Sequence, residues 1–490
     1  MPEISFNTIP ANILTPGVYI EIDGSKAFRG LPVPRRRAVI IGQRLASGTA
    51  AINTLVRVDS ADLGKQLAGA GSILANMIAR YKANDSSSEL WMVAVNDLVS
   101  GSKASWTFTV STQPTANGTL PLYIGGKSYP VAVQSGASVA SIATAIAAAI
   151  NADLDLPATA TSALGVVSIT FAHKGAIGNG LDIRVGYDPQ DAVPAGVTYA
   201  IAVANAGTGV PDITAAITAI GDQPFASIVH AFSDATNLTT LENWLLTRFG
   251  GMYQNDGLAY TASVDVVGNL ETLGQSRNSP FTVIGGIRAL PSPSWELAAA
   301  TAAQAHQSTS NDPAQPLTGL VLVGIKAPAP ADRMTRQERE YCLEDGIGTY
   351  TIDDAGNVCI ERLVTTDTLN SLGFPDPTYR DVTTMTTLAY LRWSRRYMIA
   401  TTFQRYKLGN DGTNYGAGQK VATPKTIKAA IVTQYKAWIE AALIEDDLPT
   451  YKTSLVVQRS TTDLNTVLTI DSPNIINQFL VLASQIQFVL

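Results

Sequence analysis

Residues 38–42 read AVIIG and residues 90–95 read LWMVAV. Each is a short, almost unbroken apolar run, of the length and kind expected of a strand buried on both faces. Between them, 63–81 repeats its apolar residues at helical spacing. Strand, helix, strand in that order predicts an α/β core with helical crossovers. The same texture returns downstream. SIVHAF (227–232) precedes a helix over 237–249 with Asn237 at its N-cap. FTVIG (281–285), an alanine-rich helix over 294–306 and LVLVGI (320–325) follow. Thr335 and Glu338 stand at capping-box spacing and open a short helix that stops near Gly346.

Residues 97–205 differ. They are rich in Thr, Ser, Ala, Gly and Val, with four basic and six acidic side chains. Short β-like runs recur at 106–110, 120–124 and 166–171, and one alanine-rich helix fits 138–150. This predicts a β-rich module inserted into the α/β core. After 346 the chain predicts a hairpin over 349–363 turning at Asp354-Ala355-Gly356, and a long helix over 381–406. A second helix over 423–444 has Thr423 as N-cap and Pro424 at the first helical position. Strands are expected at 454–459 and 485–490. Near the start, Val18, Ile20 and Ile22 alternate with Tyr19, Glu21 and Asp23, the period of a strand with one apolar face.

The 490 residues leave room for two to four domains. Hydrophobic residues make up 46% and charged residues 15%, against the usual quarter or so for charge. Low charge suits a surface largely covered by copies of the same protein, and equally a large β-rich globule. The net charge of −6 argues against a general nucleic-acid binder. The two cysteines, Cys342 and Cys359, form no CxxC pair and fit a reducing compartment. The start, MPEISFNTIP, lacks a basic region followed by an apolar run, and the alanine-rich stretch at 142–150 is too short to span a bilayer. No membrane insertion is expected.

Catalytic patterns are missing. His173, His230 and His306 are the three histidines, and none stands in HxxxH or HExxH spacing. There is no GxSxG elbow and no GxxxxGK[ST] loop. His230, at the end of a buried-strand pattern, reads as a satisfied structural histidine. The acidic pairs Asp353-Asp354 and Asp446-Asp447 read as solvated turns. No enzyme activity, metal or cofactor is expected. A hydrolase of α/β architecture would need a nucleophile and base that no motif supplies.

One charge feature stands out. Residues 380–436 carry ten Lys or Arg and two acids, a net +8, so the rest of the chain sums to −14. Lys425, Lys428 and Lys436 fall on one side of the second helix, opposite Ile427, Ile431 and Trp438. Arg392, Arg395 and Arg396 lie on the first. Such a stretch fits a solvated face, an acidic protein partner or, with Trp393, Tyr397, Tyr406 and Tyr415 interleaved, single-stranded nucleic acid.

Several stretches together resemble the tail sheath proteins of Mu-like contractile phages. They are ADRMTRQEREYCLEDGIGTYTIDDAGNVCIERLVTT (331–366), DPTYRDVTTMTTLAYLRW (376–393), VATPKTIKAAI (421–431), NQFLVLASQIQF (477–488) and, at the start, TPGVYIEID (15–23). The resemblance is weakest in 97–205. It implies a subtilisin-like α/β core without proteolysis, and a mixed α+β multidomain chain. Its parts are an arm with a donor strand (1–24), the core (25–96 and 206–346), an inserted β-rich outer module (97–205) and a C-terminal sheath domain with a terminal strand (347–490). It also implies the role: a structural subunit of a contractile tail sheath. Many copies form rings or a helix around an inner tail tube protein and meet baseplate and tail terminator proteins. Assembly takes place in the host cytoplasm, and contraction drives the tube through a cell envelope.

A sheath must move without coming apart, and arms that donate strands to a neighbour meet both demands. Val18, Ile20 and Ile22 at one end and Ile486, Phe488 and Leu490 at the other are the expected exchange residues. Lys425, Lys428 and Lys436, with Arg392, Arg395 and Arg396, are the expected tube-facing set. The rival is a nucleic-acid-binding structural protein using 380–436.

Overall fold

The computed structural model describes residues 15–21, 32–416, 418–445 and 447–488. The chain divides into two compact units, Met1–Pro34 with Trp393–Ile476, and Arg35–Arg392 with Asn477–Leu490.

The second unit is built on a nine-stranded sheet. Its spatial order is Val321–Lys326, Asn357–Arg362, Ile347–Ile352, Thr282–Ile287, Leu258–Val264, Ser227–His230, Arg37–Gln43, Glu89–Val95 and Leu55–Arg57. The six strands from Ile347–Ile352 to Glu89–Val95 run parallel, with Ala38 level with Leu90 on one side and Ser227 on the other. Antiparallel strands close both edges. Apolar side chains pack on both faces, which is why these strands read as unbroken apolar runs. Val283 joins the large core, whereas Ile284 next to it joins a second cluster with Leu238, Leu270, Met334, Cys342 and Ile347. On the first face lies helix Ser294–Asn311, whose alanines 298–300, 302, 303 and 305 are buried. Small side chains let this helix approach the sheet closely.

The helix expected over 63–81 is two helices, Ala61–Ala68 and Ile73–Asn84, each N-capped by a serine, Ser60 and Ser72. Gly69 and Gly71 between them have φ of 86° and 72°, outside the helical region. A Cβ on Gly71 would stand 2.9 Å from the carbonyl oxygens of Leu154 and Leu156. The helix after Ser227–His230 is capped by Asp234, three residues earlier than expected. Asn237 is instead buried, donating to the Pro211 carbonyl and accepting from Ile213 N. The Thr335–Glu338 capping box is present.

The boundary expected at 346/347 falls inside this unit. Ile347–Ile352 pairs parallel with Thr282–Ile287, and its hairpin partner Asn357–Arg362 carries the edge strand. Gly346 ends a helix and starts a core strand, so the change of texture there is not a domain junction. The two units meet in sequence within helix Val382–Thr402.

Residues 103–205 form an antiparallel sheet in the order Tyr199–Asn205, Lys103–Val110, Val166–Lys174, Ala158–Ala163, a second sheet in the order Lys127–Val133, Gly118–Ile124, Ile183–Val185, and helix Val139–Ala152. This module is tied to the α/β core. His173 receives a hydrogen bond from Ile73 N at the start of a core helix (3.2 Å), and its Nδ1 pairs with Asp97 (2.8 Å). Gln43 donates to the Lys174 carbonyl, and Lys65 pairs with Asp155 at 2.6 Å.

In the other unit, helix Pro424–Glu440 has Thr423 as N-cap and Pro424 in its first turn. It buries Ile427, Ile431, Tyr435 and Trp438, and Trp438 donates to Ser394 Oγ at 3.2 Å. The expected strand near 454–459 is Val456–Arg459, and it pairs with Val467–Ile470 in a two-stranded antiparallel ribbon.

Candidate functional site

The ribbon is unfinished. Val456 stands opposite Ile470, and Gln458 opposite Leu468, on one face. Val456 is 49% exposed, Leu468 47% and Ile470 71%. Among the described residues no third strand joins these two, and a two-stranded ribbon with an exposed apolar face is marginal in water. Lys428 anchors the ribbon's base by donating to the Leu455 carbonyl at 2.7 Å. Arg459 steadies its tip through the Leu464 carbonyl and Asn410.

The two terminal segments also expose apolar side chains. Val18 and Ile20 are exposed and lie outside any strand. Phe479, Val481, Leu482, Ile486 and Phe488 are exposed in a segment that likewise forms no strand within the chain. The strands expected at 18–23 and 485–490 are therefore absent as intrachain elements over the described residues. An extended segment has no ladder until a sheet edge receives it. Ile22 and Leu490 lie outside the described residues. This much uncovered apolar surface on one chain marks an interaction site.

The expected tube-facing cations do not share one role. Lys425 is exposed, with its backbone N–H held by Asp411. Lys436 pairs with Glu440 one turn on, at 3.7 Å and in solvent. Lys428 is spent on Leu455. Arg392 donates to the Phe249 carbonyl and to Asp256, with its guanidinium over the Phe249 ring. Arg395 bonds Gln434 and Asp471 and lies over Trp438. Arg396 is exposed. Lys428, Arg392 and Arg395 are thus bound internally, because each faces a carbonyl or carboxylate that a charge count along the sequence does not reveal. Arg405, Lys407 and Lys420, which belong to the basic stretch 380–436 but not to the expected tube-facing set, are exposed between the two helices. Their signal in the sequence is the net +8 of that stretch.

The histidines are interior. His230 is buried, which pushes its pKa down to about 4. Neither ring nitrogen reaches a hydrogen-bond partner at normal geometry, so it is structural but not satisfied. His306 meets Ser227 Oγ at 2.8 Å. Cys342 and Cys359 are buried and unbridged, and burial pushes the Cys342 thiol up to about 12. Among the described residues, no group of three His, Cys, Asp or Glu side chains is placed to hold a metal ion.

A ribbon with an exposed apolar face, exposed apolar ends and a loop of exposed cations are surfaces of the kind that structural proteins cover by association. Comparison with known proteins gives the family. The model of the phage tail sheath protein central domain matches residues 206–366, and that of the phage tail sheath C-terminal domain matches 375–489. Over 487 residues the chain is 34% identical to the Mu-like prophage FluMu tail sheath protein of Haemophilus influenzae, covering 99% of this chain and 100% of that one. A sheath tail protein from Listeria innocua has the same fold, with TM-score 0.50 at 11% identity over 92% of this chain and 94% of that one. One from Desulfitobacterium hafniense gives 0.49 at 13% identity, covering 94% and 100%. The chain belongs to the phage tail sheath family.

Proposed function

We propose that copies of this chain polymerise around an inner tail tube by exchanging their terminal segments onto the Val456–Arg459/Val467–Ile470 ribbon, and that the sheath so formed contracts to drive the tube through an envelope. The observation that carries this is the pairing of deficits. Val456, Leu468 and Ile470 lack cover, and Val18, Ile20, Ile486 and Phe488 lack a sheet. A strand added at each ribbon edge gives the arms a ladder of main-chain hydrogen bonds and sets their apolar side chains beside Val456 and Ile470. The link that each added strand makes holds the copies together while they move past one another in contraction.

The exposed cations Lys425, Arg405, Lys407 and Lys420 support a charged grip on an acidic tube, with Arg396 and Lys436 beside them in sequence. Exposed ion pairs contribute about 0–1 kcal/mol each, so the grip is firm only when repeated over many subunits and can be lost progressively. A protein partner fits better than nucleic acid, because Arg392, Arg395 and Lys428 are already engaged within the chain. Baseplate and terminator proteins bound the polymer at its ends. The inserted 97–205 module faces outward, assembly takes place in the host cytoplasm, and no catalysis is involved. Negative-stain electron microscopy of the purified protein tests the core of this. Hollow cylinders formed without nucleotide or metal support it, and a species that stays monomeric at high concentration overturns it.

A further inference from the structure

Sheet edges are templates for unwanted pairing, and folded chains protect them. The second unit has six edges, and five are protected. Leu55–Arg57 and Ile183–Val185 are three residues long. Lys127–Val133 contains Pro130. Val321–Lys326 is irregular, and the Asn84 carboxamide stands in for a neighbouring strand at Val323: it accepts from Val323 N (2.8 Å) and donates to Val323 O (3.1 Å). Asn151 does the same at Ala160 of the edge strand Ala158–Ala163, at 2.9 and 2.7 Å.

The sixth edge, Tyr199–Asn205, has none of these devices along 199–203. It is seven residues long and slips register only between Val203 and Asn205. No charged residue lies between Asp191 and Asp212. Its apolar row is also unfinished. Tyr199, Ile201 and Val203 stand level with the buried Val110, Phe108 and Trp106 and extend that row outward. Val203 is nonetheless 67% exposed. Ser111 N donates to the Thr198 carbonyl, so by alternation Tyr199, Ile201 and Val203 turn their own N–H and C=O groups to the open side.

We propose that this edge pairs antiparallel with the same strand of a second copy of the chain. The strand is complementary to itself. Centred on Ile201, the pairing sets Ile201 against Ile201 and Tyr199 against Val203 of the second copy, aromatic against β-branched on one face, which is a favourable cross-strand pair. With no charge on either strand, nothing repels. The contact is two-fold, whereas arm exchange is head-to-tail, so it joins copies that are not arm-linked neighbours. It goes beyond sheath assembly and does not depend on it.

The test is oxidative cross-linking of the full chain. The native cysteines are buried and contribute nothing. Ile201→Cys places two sulfurs across the two-fold with Cα atoms about 5.5 Å apart, within the span that a disulfide bridges. The expected result is a covalent dimer at a yield about tenfold above Val99→Cys, an exposed loop control. Val203→Lys in the Ile201→Cys background should cut that yield about tenfold, since an edge lysine opposes pairing. Equal yields from positions 201 and 99, or a dimer that survives Val203→Lys, overturn the proposal. A strand from a different protein on this edge would give the first of these outcomes.

Discussion

Lys428 Nζ donates to the main-chain carbonyl of Leu455 at 2.7 Å. The bond runs from helix Pro424–Glu440 to the residue where the ribbon begins. This lysine therefore braces the ribbon from the helix, while Lys425, one turn earlier, is exposed.

Two substitutions separate these roles. Lys428→Ala should destabilise the unit by about 1–3 kcal/mol, since hydrogen bonds from charged donors contribute about that much. It should impair every polymer, with or without a tube. Lys425→Glu, on an exposed position, should leave the unfolding midpoint unchanged and reduce extended sheath on tubes. Calorimetry and electron microscopy of assembled tails read both effects. A Lys425→Glu protein forming normal extended tails would remove this lysine from the tube surface.

Acid should weaken the fold through the buried histidines. Burial holds His230 to about 4 against an ordinary 6.5. His306 is held to about 3 by burial and the nearby Arg36 guanidinium. A folded-state value below the unfolded one means that the unfolded chain takes the proton first. Stability is therefore full above about pH 6.5, falls as pH drops, and for His230 levels off below about 4. The His230 contribution is about 3 kcal/mol across that window. Denaturant midpoints measured from pH 7 to pH 4 should fall, and His230→Phe should flatten part of the slope. An unchanged slope in that variant would show that the imidazole is already solvated.

The inserted module should prove to be a strut. His173 accepts from Ile73 N and holds Asp97, so His173→Ala leaves a helix-start N–H and a carboxylate short of partners. Each buried unsatisfied group costs about 1–3 kcal/mol. Hydrogen exchange at the first turn of Ile73–Asn84 should accelerate, and proteolysis within 97–205 should increase. Excising 97–205 removes the same support, so the joined flanks should fold with a lowered melting temperature.

The sequence shows what local pattern determines. Residues 38–42, 90–95 and 227–232 stand out because parallel strands buried on both faces must be apolar at nearly every position. Thr335–Glu338 and Thr423-Pro424 stand out because helix starts leave N–H groups that particular side chains satisfy. The break at Gly69 and Gly71 is hidden by apolar spacing that continues through it. Val467–Ile470 is four residues long, too short to show a period. Lys428, Arg392 and Arg395 look like surface charge because their partners, Leu455, Asp256 and Asp471, are distant in sequence. The open edge at 199–205 appears only once the strand order is known.

The arms carry the decisive prediction for assembly. Neither 15–21 nor 477–488 forms a strand within the chain, and the apolar side chains Val18, Ile20, Ile486 and Phe488 are exposed. The sheets of both units close without them. Deleting residues 1–23, or the last six residues, should therefore leave the circular dichroism spectrum and melting transition of the subunit unchanged while abolishing long polymers. Proline at Ile20 or Phe488 should act in the same direction, because it removes a ladder donor and costs little where the chain itself forms no strand. Lysine at Ile470, on the exposed ribbon face, should act from the acceptor side, since a charge there opposes apolar side-chain pairing with an added neighbouring strand. The three kinds of change strike one joint from different sides, so their effects on polymer length should not add once the joint is broken. Sedimentation velocity with electron microscopy reads the outcome. Truncated subunits that still grow into tubes of normal length would show that the linkage lies elsewhere, and Ile470→Lys tubes of normal length would move the acceptor off the ribbon.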